Sequence, residues 1–273
     1  MSSSEAALED LHPTLWRAHQ LGRAAAAVQP SGFGVLDAQL PGGGWPCRAL
    51  TELLLAQPGV GEMRLLAPAL ARVSAPGGRP GEEVGERSVM LFDPPARPCA
   101  QALAQLGVDA HRIVVVHGRE GPRGAALRHL LPSADLLWAL EQALRSGQVG
   151  VVVAWLPERL AAESLRRLQL AAQAHEGPAF MLRGIGERCR PSPAPLRLAL
   201  HPGRRPDEVA VQVLKRRGPA GGPALHLALP PVLSAPARRR WSPTAPAPAP
   251  ATAERPFSRA GVPVEADVMP PAG

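Results

Sequence analysis

The chain has 273 residues, 45% of them hydrophobic, and a formal net charge of +7. This length accommodates a sizeable core, and the absence of any apolar run near 20 residues argues against a membrane-spanning helix. Three isolated cysteines argue against a disulfide framework and a cysteine-based metal site. The polar, acidic N-terminus is unlike a signal peptide, so we expect a cytoplasmic protein.

The basic charge comes almost entirely from arginine, since Lys215 is the one lysine in the sequence. The surplus of basic residues is concentrated in the last third of the chain, between Arg183 and Arg259. Such an asymmetry is typical of proteins that bind nucleic acid or an acidic partner, and it does not choose between the two.

Residues 1–29 are predicted to form an N-terminal helical arm, because Leu8, Leu11, Leu15 and Trp16 recur at helical spacing. The next segment is rich in glycine and proline, which indicates turns. A brief helical turn is expected around Leu36 and Leu40.

The stretch "TELLLAQPGVGEMRLL", residues 51–66, has the strand–loop–helix order of a phosphate-binding P-loop. An apolar strand leads into a loop that contains Gly59 and Gly61, and a helical pattern follows to about Ser74. The loop then has Glu62 and Met63 where phosphate binding requires lysine and a hydroxyl residue.

Strands and helices alternate over the middle of the chain. The sequence predicts strands at 88–93, 111–118, 149–156 and 178–183, and helices at 98–108, 133–147 and 158–175. The segments 196–200, 208–217 and 224–229 instead alternate polar and apolar residues. We therefore predict an α/β core at 30–230, whose mostly parallel sheet is flanked by helices and extended by antiparallel strands at its C-terminal edge.

The last segment, residues 231–273, is rich in proline and alanine. Such a composition buries too little apolar surface to fold alone, so we predict a disordered tail.

Several of these stretches resemble the RecA superfamily in the same order along residues 30–230. The similarity is greatest to the ImuA family, RecA-like proteins associated with translesion DNA synthesis. It is carried by the segments "PSGFGVLDAQLPGGGWP", "PGVGEMRLLAPAL" and "VLKRRG". This resemblance implies a RecA-like fold and a non-catalytic adaptor in the SOS response and mutagenesis. The implied partners are an ImuB-like polymerase homologue and an error-prone DNA polymerase, with RecA and single-stranded DNA as further candidates.

Against the RecA pattern, the groups that ATP hydrolysis needs are missing. Glu62 and Met63 replace the lysine and the magnesium-binding hydroxyl, and Pro95 and Trp155 fall where the water-activating carboxylate and the second acidic residue are expected. We therefore expect no cofactor and no ATP hydrolysis. The histidines show no metal spacing, and no nucleophile–base arrangement is present in the sequence.

Two basic clusters are candidate contacts for DNA or a partner protein. In RecA recombinases, the region after the strand at 178–183 contacts single-stranded DNA, which here implicates Arg183, Arg188 and Arg190. The second cluster, Lys215–Arg217, ends a strand. Contact with phosphates would be independent of sequence, and solvated charge is the plain alternative for both clusters.

A second resemblance gives the alternative function. SulA proteins are also similar to a RecA-like core without nucleotide, and they imply an SOS-induced inhibitor of the cell-division GTPase. The long glycine-rich segment before residue 51 and the basic tail favour the ImuA resemblance over the SulA resemblance.

Overall fold

The computed structural model describes residues 27–74, 87–118, 134–218 and 222–231. Most of the predicted arm (residues 1–26) and all but the first residue of the predicted tail (232–273) lie outside the described residues. Val28 and Gln29, the last residues assigned to the arm, form a short strand.

The described residues form ten strands and five α-helices. The strands are β1 Val28–Gln29, β2 Trp45–Pro46, β3 Leu50–Leu55, β4 Ser88–Phe92, β5 Ile113–Val116, β6 Val149–Trp155, β7 Ala179–Gly184, β8 Leu196–Pro202, β9 Glu208–Lys215 and β10 Leu225–Ala228. The helices are α1 Gly34–Asp37, α2 Glu62–Ser74, α3 Ala100–Gln105, α4 Ala134–Arg145 and α5 Ala162–Ala172. Short 3₁₀ turns lie at Pro41–Gly43, Ala110–Arg112 and Ile185–Cys189.

Eight strands form one sheet in the order β10-β9-β8-β3-β7-β6-β4-β5. All pairs from β8 to β5 are parallel, whereas β8 with β9 and β9 with β10 are antiparallel. β1 and β2 form a separate antiparallel pair. This confirms the predicted mixed α/β class, with a mostly parallel sheet and antiparallel strands at the C-terminal edge.

The burial of each strand follows its position in the sheet. β6 lies inside the sheet and is buried on both faces, as its unbroken run of valines predicts. In β9, by contrast, buried residues alternate with half-buried ones, because one face of this strand is less covered.

Two apolar clusters lie on opposite faces of the sheet. The first packs α2, with Leu65, Leu66 and Leu70, against alternate residues of the central strands. The second packs α4 and α5 against the other face. Helices therefore cover both faces, and the carboxyl ends of β3, β4 and β6 meet at one edge.

The structure departs from the sequence prediction at element ends. The helix predicted at 98–108 is Ala100–Gln105, and the one predicted at 158–175 is Ala162–Ala172. The first of these helices ends before Gly107, whose φ of +79° lies outside the helical region. The β1–β2 pair was not predicted, because two-residue strands leave no period to detect.

His175 is an unusual buried residue just after α5. Its side chain is fully buried, and neither ring nitrogen has a hydrogen-bond partner in the described structure. Burial lowers the pKa of His175 from 6.5 to about 4, because the charged imidazolium loses its hydration.

Acid should therefore weaken the fold through His175. In the unfolded chain the imidazole binds a proton below pH 6.5, while the folded chain resists protonation down to about 4. The contribution is intact above pH 6.5, and the free energy of unfolding should fall by about 3 kcal/mol as the pH approaches 4. Urea unfolding at pH 7 and 4.5 measures this change.

The matched variant is His175→Leu, with His111→Gln as the exposed control. His175→Leu should flatten the pH dependence, while the control should leave it unchanged. An identical pH dependence in His175→Leu and the natural chain would contradict this assignment.

Candidate functional site

The loop between β3 and α2 keeps the backbone form of a tight strand-to-helix turn. Gly59 and Gly61 have φ angles of +81° and +117°, which residues with a side chain rarely adopt. Val60 between them is buried. The glycines are therefore required by the backbone of the turn, whether or not a ligand binds there.

The carboxylate of Glu62 folds back into this loop. The backbone N–H of Gly59 donates to Oε1 at 2.8 Å, and that of Gly61 donates to Oε2 at 3.1 Å. Glu62 is itself buried and begins α2, where the helix dipole favours negative charge. Amides of the kind that hold phosphate in a P-loop are thus occupied by a carboxylate from the same chain.

The antiparallel edge closes the other side of the loop. A Cβ on Gly61 would lie 2.5 Å from Cδ1 of Leu229, just after β10. Arg64 of α2 donates to Oδ1 of Asp207 at 2.5 Å, in the turn between β8 and β9. Its guanidinium, a nearby candidate for a phosphate, is therefore held in an internal ion pair.

Next to the loop, a cleft of about 270 Å³ lies at the carboxyl ends of β4 and β6. Met63, Pro95 and Trp155, three of the positions where the sequence lacks a catalytic group, all line it. Trp155 is half-buried, and its Nε1 has no hydrogen-bond partner in the described structure. Asp93, just after β4, does not line this cleft. Its Oδ1 accepts a hydrogen bond from the backbone N–H of Gly118 at 2.9 Å.

Among the described residues, no group of three or more His, Cys, Asp or Glu side chains is placed to hold a metal ion. No helix in that part of the chain is long and apolar enough to cross a membrane.

The structure corrects the role expected of Arg183. It lies within β7 and its side chain is buried, so it does not reach the surface as contact with DNA would require. It donates to Oε1 of Glu52 at 3.0 Å and to Oε2 of Glu187 at 2.7 Å. Arg197 of β8 pairs with the other oxygen of Glu52 and with the carbonyl of Glu187. Arg183 is therefore part of a balanced buried ion network and is inaccessible to DNA.

The other predicted basic residues are dispersed. Arg188 is exposed, and Arg190 lies 3.4 Å from Glu187. Lys215 donates to the carbonyl of Ser192 at 2.9 Å, which brings it against the loop that follows Arg190. Arg216 donates to the carbonyl and side chain of Gln39, and Arg217 is exposed. These side chains form no single basic surface with Arg183, and their contact with DNA stays a prediction.

Sequence reasoning missed Glu52, Glu187 and Asp207. One signal was available: Glu52 is a charge inside the apolar strand "LTELLL", and a buried strand tolerates a carboxylate only when it is paired. Its partners, however, are 131 and 145 residues away along the chain. No local pattern identifies them.

Comparison with known proteins points to one family. Residues 125–179 match the family model of the cell division inhibitor SulA. The cell division inhibitor SulA of Edwardsiella piscicida is 34% identical over 106 residues, which are 39% of this chain and 51% of that protein. The chain thus spans about half the length of the curated relative it matches. The residues that match the family model include α4, β6 and α5, and they do not include the loop at 56–61.

These similarities correct the function expected from the ImuA resemblance. A translesion-synthesis adaptor is wrong as the main interpretation, because the matching family and relative are division inhibitors. The misleading signal was the glycine-rich sequence, because Gly59 and Gly61 are required by the backbone of the turn whether or not a ligand binds there. The ImuB-like protein, the polymerase, RecA and single-stranded DNA stay untested as partners.

The buried network predicts a large effect of Arg183 on stability. Arg183→Ala should lower the free energy of unfolding by about 3–5 kcal/mol, because it leaves Glu52 and Glu187 without their common cation. Arg188→Ala, at an exposed position nearby, should change it by less than about 0.5 kcal/mol. Urea unfolding of both variants tests this, and equal small losses would show that Arg183 is not a structural cation.

A separate prediction concerns the loop carboxylate. Glu62→Ala should lower the free energy of unfolding by about 2 kcal/mol, because the buried N–H of Gly61 and that of Gly59 lose their acceptor. The control is Glu163→Ala on α5, because the Glu163 side chain is 73% exposed. This variant should change the free energy of unfolding by no more than about 0.5 kcal/mol. Thermal or urea unfolding measures both, and an unchanged stability of Glu62→Ala would contradict the capping role.

Proposed function

We propose that the chain is a SulA-like inhibitor of cell division, which acts by binding the cell-division GTPase. The observation that supports this most directly is the similarity of residues 125–179 to the SulA family. That stretch includes two helices on one face of the sheet and the central strand β6 between them. The 34% identity to a division inhibitor over 106 residues supports the same function.

We further propose that the protein is not an enzyme and that its α/β fold is of the RecA-like kind. The carboxylate of Glu62 occupies the loop amides, and a triphosphate would have to displace it against charge repulsion. Met63, Pro95 and Trp155 offer no ligand for magnesium and no base for water. An inhibitor that works by occupying its target needs none of these groups.

The function is tested in cells and with purified proteins. Expression of the natural chain in a bacterium should produce long filaments that continue to grow without dividing. The purified chain should reduce the polymerisation and GTP hydrolysis of the cell-division GTPase. The reduction should be proportional to the molar ratio of chain to GTPase, because each copy of a non-catalytic inhibitor binds one molecule of its target. Light scattering and phosphate release measure both effects, which should be the same with and without ATP.

Leu66→Asp provides the control, because a charge at this fully buried position should abolish folding and therefore inhibition. Normal division and normal GTPase polymerisation with excess folded natural chain would refute the proposed function. ATP hydrolysis above background by the purified chain would refute the non-enzymatic part.

A further inference from the structure

The cleft beside the glycine loop is apolar where a nucleotide site would be polar. Its floor and walls include Met63, Leu103 and Trp155, and its rim is the loop that follows β4. Glu62, which also lines it, has its carboxylate engaged with the loop amides. The cleft therefore offers apolar contact and no free acidic group from Glu62.

One cation at the rim is available to a partner. Arg97 lines the cleft, is exposed, and makes no ion pair or hydrogen bond with the described part of the chain. Arg64, the other arginine of the cleft, is already paired with Asp207. An occupant that complements this charge has a carboxylate next to its apolar group.

Size and rigidity indicate a protein as the occupant. The volume of about 270 Å³ is at the small end for ligand sites, which are typically about 300–1,000 Å³, and it is large enough for one or two side chains. Prolines at 94, 95 and 98 fix the rim, so little entropy is lost on binding. Tryptophan, methionine and arginine are also enriched where proteins bind one another.

We propose that this cleft is the docking site for the target of the inhibitor, the cell-division GTPase. An apolar side chain of the GTPase enters between Met63, Pro95 and Trp155, and an adjacent carboxylate pairs with Arg97. This inference rests on the proposed function and adds to it the face of the chain that binds.

Charge reversal is the first test. Arg97→Glu in the full chain should weaken binding of the purified GTPase at least tenfold, as measured by a Kd from biolayer interferometry. Arg145→Glu is the matched control. Arg145 is exposed at the end of α4, near the amino end of β6, whereas the cleft lies at the carboxyl end of that strand. The control variant should stay within twofold of the natural chain, and both variants should keep the natural melting temperature.

Cysteine chemistry gives an independent test, because Cys99 lines the cleft and is exposed. A bulky maleimide on Cys99, in a Cys189→Ser chain, should block GTPase binding. The same reagent on Cys189, in a Cys99→Ser chain, should leave it intact. Cys47 is half-buried in both chains, and burial raises the pKa of its thiol, which slows its reaction with the reagent.

The outcomes separate this inference from the function on which it rests. If the natural chain neither binds nor inhibits the GTPase, the proposed function fails and the inference fails with it. If the natural chain binds but the Arg97 variant and the Cys99 adduct bind equally well, the inference alone fails. Trp138 of α4 is 62% exposed and marks a different surface. If Trp138→Ser abolishes binding while both cleft changes leave it intact, the interface lies on α4 and the inference is wrong.

Discussion

The hydrogen bonds between the Glu62 carboxylate and the amides of Gly59 and Gly61 determine what this edge of the sheet can do. They satisfy donors that a tight strand-to-helix turn leaves unpaired, and they place a fixed negative charge where a phosphate would bind. The turn is therefore stable without a ligand. Apolar residues, among them Met63, Pro95 and Trp155, line the space beside this loop.

A second set of charges stabilises the opposite face. Glu52 and Arg197 are cross-strand neighbours on β3 and β8, and Arg183 and Glu187 complete a group whose formal charges cancel. Each arginine also donates to a backbone carbonyl, of Glu158 or Glu187. Because removing any one member leaves the buried charges unbalanced, the network holds the turn at Ile185–Cys189 against the sheet.

The fold was largely predictable because its signals are local. Unbroken valines in β6 and alternation in β9 give both the strand type and its place in the sheet. The site was predictable only in part. The sequence identifies Glu62 as incompatible with phosphate, but the reach of its side chain to amides one and three residues back depends on the turn's geometry. Arg183 was assigned the wrong role because the carboxylates that pair with it, Glu52 and Glu187, lie on other elements that no local pattern links to this strand.

The same reasoning explains why the glycine-rich segments misled the assignment of function. Gly59 and Gly61 are dictated by positive φ angles, so they report the shape of the turn and not its ligand. The match to the SulA family model lies in residues 125–179, which include α4, β6 and α5. The amides of this loop are bonded to the chain's own carboxylate, so the glycines alone do not indicate a function. The surfaces of the helices and loops around the sheet are more informative. In the docking site that we propose, the proline-rich rim after β4 is an exposed loop at a strand end, and its rigidity limits the entropy that binding would cost.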